Sequence, residues 1–78
     1  MPTPREVEAL ILAALPGARV SVRDMTGTGD HFQAEVTAEQ FRGRSLVEQH
    51  QMIYAPLKSL LAGNIIHALS LKTSIPEP

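Results

Sequence analysis

The chain has 78 residues, 44% of them hydrophobic and 19% charged, which suits one small folded domain and leaves no room for a second. Seven Lys and Arg against eight Asp and Glu give a formal charge of −1, which argues against a protein whose first task is to coat nucleic acid or an anionic membrane. There is no cysteine, so a disulfide framework, a Cys-x-x-Cys redox centre, a zinc knuckle and a thiol nucleophile are all excluded.

Thr3-Pro4-Arg5-Glu6 has the form of a helix start: a capping hydroxyl, a proline suited to the first helical position, and a glutamate three residues after the cap. Val7, Leu10, Ile11, Ala14 and Leu15 then repeat with helical spacing, and Pro16-Gly17 stops the run. The spacing predicts a helix from about 4 to 15. From Arg19 the period becomes two. Val20 and Val22 alternate with Arg19, Ser21 and Arg23, and Phe32, Ala34 and Val36 alternate with His31, Gln33, Glu35 and Thr37. Two strands are expected, joined through the turn formers Thr26 to Asp30. Thr37 to Gln40 can start a helix, but Gly43 limits it to one turn.

Ser45-Leu46-Val47-Glu48 reads as a capping box opening the longest helix, about 46 to 62. Its apolar stripe is Leu46, Val47, Ile53, Tyr54, Leu57, Leu60 and Leu61, with His50 inside it. Pro56 should bend this helix without ending it, and Gly63-Asn64 supplies the stop. Ile65 to Thr73 reads as a third strand, with Ile65, His67, Leu69 and Leu71 on one face, and residues 73–78 read as a frayed tail. Leu10, Ile11, Val22, Val36, Leu46, Ile53, Leu57 and Leu69 are the expected core.

The order is helix, strand, strand, helix, strand. A helix linking strands two and three requires those strands to be parallel, with a right-handed crossover. The expectation is a single α+β domain over residues 1–78, a three-stranded mixed sheet with its helices packed on one face. No apolar run approaches the ~18 residues of a membrane helix and the N-terminus has no leader pattern, so a reduced, cytoplasmic setting is expected.

Several segments together give the chain a family likeness. They are Asp30-His31-Phe32 at the entry to strand two, Phe41-Arg42-Gly43-Arg44-Ser45, the helix Leu46 to Leu57 with its His50, and the strand Ile66-His67-Ala68-Leu69-Ser70-Leu71-Lys72-Thr73. In this order they resemble the BolA family along nearly the whole chain. The resemblance implies a class II KH-like fold, in agreement with the element order. It also implies a non-catalytic adaptor of iron–sulfur metabolism and iron sensing, with roles in stress response and transcription. Such an adaptor shares a 2Fe–2S cluster with a monothiol glutaredoxin of the Cys-Gly-Phe-Ser type and its glutathione, and holds no cluster alone.

By that resemblance His67 is a cluster ligand. Taken from the residues alone, it is better read as a half-buried strand histidine bonded to backbone. Many family members carry a Cys or His shortly before the phenylalanine of strand two; here those positions are Gly27, Thr28 and Gly29, which leaves His31 as the second, weaker ligand candidate. Asp30 is a hard oxygen donor and better suited to a turn. His50, within an apolar stripe, reads as a near-core residue.

Arg42 and Arg44 beside a helix start are the best support for a different function, a DNA-binding regulator using the 41–57 region. A solvated turn is the plainer reading, since Gly43-Arg44-Ser45-Leu46 lacks the second glycine of a KH loop and no aromatic platform accompanies it. No Ser-His-Asp spacing, carboxylate pair or phosphate loop stands out, so an enzyme is not expected. A monomer or weak homodimer is expected.

Overall fold

The computed structural model describes residues 3–27, 31–63 and 68–77. Helix α1 runs Pro4–Ala14, strand β1 Arg19–Asp24, strand β2 His31–Thr37, and a single 3-10 turn Glu39–Phe41. Helix α2 (Leu46–Tyr54), a 3-10 turn (Ala55–Leu57), helix α3 (Lys58–Ala62) and strand β3 (Ala68–Ser74) complete the chain. The sheet order is β1-β2-β3, with β2 antiparallel to β1 and parallel to β3. This is the mixed α+β sheet that the element order requires.

Two of the three predicted helix starts form with their caps; at the third, Ala38 takes the cap position in place of Thr37 and no side chain caps the single turn. The Thr3 hydroxyl accepts from Glu6 N–H at 3.2 Å, and Pro4 occupies the first turn, where no donor is missed. At α2 the box is reciprocal: Ser45 Oγ accepts from Glu48 N–H at 3.2 Å, and Glu48 Oε1 accepts from Ser45 N–H at 3.0 Å. After α1, Gly17 turns the chain with φ +84, a left-handed conformation that a side chain would strain.

The core lies between the helices and one face of the sheet. Val7, Ile11 and Leu15 of the α1 region meet Phe32, Ala34 and Val36 of β2, with Ala38, Phe41, Ile53 and Leu57 closing the cluster. Of the eight residues expected inside, Ile11, Val36, Ile53 and Leu57 are fully buried, and Val22 and Leu69 are half-buried at the flanks.

Leu10 and Leu46 are exceptions, exposed at 39% and 62%. Helix α1 buries the narrow line Val7, Ile11, Leu15, and Leu10 sits about 100° around from Ile11, at the rim of the stripe. Leu46 has the same phase as Ile53 and Leu57, but helical side chains lean toward the N-terminus. The first residue of α2 therefore leans away from the core residues about two and three turns further on.

Two further expectations change. The single helix 46–62 keeps its helical path but not its α bonding. Pro56 has no N–H for the Met52 carbonyl, and the chain tightens into the 3-10 turn before α3 resumes. The tail expected to fray is held: Ser74 belongs to β3, its carbonyl accepts from Ala38 N–H at 3.1 Å, and Ile75 packs on the core.

Candidate functional site

Of the described residues singled out from sequence, His31 and the pair Arg42 and Arg44 fall at opposite ends of β2, and His50 lies on α2. His31 opens β2 and points away from the buried Phe32, on the face opposite the helices, half-buried. Its backbone carbonyl accepts from Met25 N–H at 2.8 Å, which closes the β1–β2 connection. The Asp24 carboxylate shapes this turn by accepting from Thr26 N–H at 3.2 Å and Gly27 N–H at 2.9 Å. Met25 is 57% exposed beside it, a thioether in a position the sequence pattern does not mark. In the parallel register, His31 pairs with Ala68. His67 and Asp30 lie outside the described residues, so His31 is the ligand candidate whose placement is seen. Among the described residues no three His, Asp or Glu side chains gather in a way that would hold a metal ion.

The arginine pair sits beyond the other end of β2, and both guanidiniums are engaged. Arg42 forms a two-pronged contact with Glu39, Nε to Oε1 and a second N–H to Oε2 at 3.0 Å, and also donates to the Pro76 carbonyl at 3.3 Å. The Arg42 hydrogen bond holds the Glu39 carboxyl below its ordinary range, and Glu39 in turn raises Arg42. Arg44 lies 3.6 Å from Glu48. Glu48 is itself held low, chiefly by the backbone N–H of Ser45. The start of α2, which could have received a phosphate, already holds this chain's own carboxylate.

Gln49 was not marked by sequence, yet it ties this turn together. Its amide donates to the Arg44 carbonyl at 3.0 Å and to the Phe41 carbonyl at 3.5 Å, while its oxygen accepts from Thr73 Oγ1 at 2.5 Å. The turn, α2 and β3 are thereby fixed to one another. His50 is half-buried on α2 and forms no protein hydrogen bond among the described residues, so the near-core reading holds only in part.

Residues 13–78 match the family model described as BolA-like protein. The chain belongs to the BolA-like family. This BolA-like chain is 38% identical over 71 residues to the acid stress protein IbaG of Escherichia coli, covering 91% of this chain and 81% of that protein. It is 40% identical over 73 residues to protein BOLA2 of Arabidopsis thaliana, covering 92% and 76%. A BolA protein homologue from Coxiella burnetii, a solved structure, matches with a TM-score of 0.79 at 35% identity, over 97% of this chain and 94% of that one. The likeness extends across the helices and the mixed sheet alike.

Proposed function

We propose that this chain is a non-catalytic BolA-like adaptor in iron–sulfur metabolism and iron sensing, which forms a 2Fe–2S-bridged heterocomplex with a monothiol glutaredoxin and its glutathione. One observation supports this most. The parallel register pairs His31 with Ala68, the residue that follows His67 in the sequence, and this supports reading the two histidines together.

The donor chemistry is in keeping with a shared centre. Iron–sulfur clusters are held mainly by thiolates, and this chain has none; imidazole is the accepted substitute on one iron. His67, with His31 as second candidate, would hold that side, and the partner's cysteine and glutathione the other. Imidazole in place of thiolate raises the reduction potential of such a cluster, which suits a transferable or sensing centre. On this reading the work of this chain is to present imidazole to the shared cluster. Ligation needs the deprotonated ring, so the complex weakens in acid.

Glutathione and a labile cluster belong to a reducing setting, and the cytoplasm is the one we assign. The name of the Escherichia coli relative supports a place in stress response. No helix among the described residues is long and apolar enough to cross a membrane. For a DNA-binding regulator working through Arg42 and Arg44, no observation offers support, since Glu39 and Glu48 already pair with both.

Anaerobic co-purification tests the proposal. With iron, sulfide and glutathione present, this chain and a monothiol glutaredoxin should elute together as a coloured species, and this chain alone should stay colourless. Separate elution with and without the cluster would refute it.

A further inference from the structure

Among the described residues one face of the sheet carries no helix, and its charge is one-sided. Arg19, Thr37 and Ser74 form one cross-strand row, and Ser21, Glu35 and Lys72 the next. Arg23 lies one row further, where it donates to Gln33 Oε1 at 2.7 Å. Three cations on the strands thus face Glu35, with Glu77 at the rim beside Arg19, an excess of one positive charge on a chain whose net charge is −1. On the helix side Arg42 and Arg44 are balanced by Glu39 and Glu48, whereas Arg19 and Lys72 form no ion pair among the described residues.

Beside Arg19 the surface sinks into a depression of about 390 Å³, bordered by Thr37, Ser74, Ile75, Pro76 and Glu77. A shallower trough leads from Arg19 across the face past Ser21 and Glu35. The hydroxyls of Thr37 and Ser74 are 2.8 Å apart, so one proton is used between them and the other is left for an outside acceptor. A guanidinium and a spare hydroxyl donor at the same hollow are the parts of a carboxylate seat, because the planar fork matches both oxygens. Ile75 and Pro76 give the methylene stem of an acidic side chain an apolar wall.

The occupant follows from the spacing. Arg23 is four residues along β1 from Arg19, about 13 Å, and Lys72 is two strands across and one row along, about 12 Å. Glu35 and Glu77 border the route and oppose a compact, multiply charged anion. A polypeptide that presents single carboxylates at intervals can meet the three cations one by one and avoid the two acids. A nucleic acid strand would need stacking partners, and among the described residues this face has no Phe, Tyr or Trp, its one ring being the half-buried imidazole of His31. We infer that the open sheet face docks an acidic segment of a partner protein, with one carboxylate seated against Arg19 at the Thr37–Ser74 hydroxyls and others reaching Lys72 and Arg23. The inference does not depend on the cluster.

The test is a low-salt NMR titration of the whole isotope-labelled chain with a short oligoglutamate peptide, with parallel titrations of inorganic phosphate and a DNA duplex. The amides of Arg19, Thr37, Lys72 and Ser74 should shift, and added salt should reverse the effect. Arg19→Ala and Lys72→Ala should each weaken peptide binding about threefold to fivefold, the scale of one exposed charge pair. Arg19→Lys should recover part of the loss, and Arg44→Ala, at a residue paired with Glu48 away from the hollow, should change nothing. Both substituted residues are exposed, so the variant spectra themselves show whether the fold is kept. Shifts centred on Arg42 and Arg44, indifference to Arg19→Ala, or tighter binding of the duplex or of phosphate than of the peptide would overturn the inference.

Discussion

The two ends of the central strand β2 are built for different purposes. Beyond Thr37 the chain is fastened at every step. Ala38 N–H reaches the Ser74 carbonyl, Arg42 bridges Glu39 and the Pro76 carbonyl, Phe41 is fully buried, and Gln49 joins the turn to β3. At the other end, His31 stands half-buried at the strand entry next to the exposed Met25. Buried apolar area and a closed hydrogen-bond network stabilise the first end. The second sets the half-buried imidazole of His31 beside an exposed thioether. The lesson is that the arginines most suggestive of function belong to the structural end.

The contrast can be broken by mutation, starting with the largest effect. Phe41→Ala should cost about 3–5 kcal/mol, the range for removing a fully buried aromatic ring, as measured by urea unfolding. In so small a domain that leaves little stability. Gln49→Ala removes three hydrogen bonds around a half-buried amide and strands Thr73 Oγ1, and should cost about 1–3 kcal/mol by the same measurement. Ser45→Ala deletes the α2 cap and should cost about 1 kcal/mol.

Glu48 gives this end a pH dependence. Its folded pKa is lowered, so its contribution is present above the unfolded value near 4.5 and is lost as pH falls through the lower folded one. The stability gap between the wild-type chain and Glu48→Gln should therefore close in acid. The smallest effect belongs to the opposite end, where His31→Ala should shift stability by less than about 1 kcal/mol. If His31→Ala unfolded the domain while Gln49→Ala did not, the division between the two ends would be wrong.

Local pattern carried most of the fold. Thr3 and Ser45 announced both caps, and the change of period from helical to alternating placed β1 and β2. The length of the intervening helix made β3 parallel to β2. What escaped was short or non-local. Phe41 lies in a three-residue 3-10 turn, too brief to show a period, yet it is among the most buried side chains. The contact from Gln49 to Thr73 spans 24 residues, and Ser74 joins β3 only because Thr37 and Ala38 stand beside it. Leu46 had the right helical phase but the wrong position along the axis. Of the site, the pairing of Arg42 and Arg44 was within reach, since Glu39 and Glu48 stand at helical spacings of three and four. No local signal in the sequence could show that β2–β3 register pairs His31 with the neighbour of His67.

The central claim is that histidines of this chain ligate a cluster held jointly with glutaredoxin. Visible absorption of the anaerobic heterocomplex, compared across His67→Ala, His31→Ala and His50→Ala, tests it most directly. The account predicts that His67→Ala abolishes the spectral change this chain imposes on the glutaredoxin-bound cluster, that His31→Ala reduces it, and that His50→Ala leaves it intact. A His67→Ala, His31→Ala double variant that folds and still gives the wild-type spectrum would contradict it.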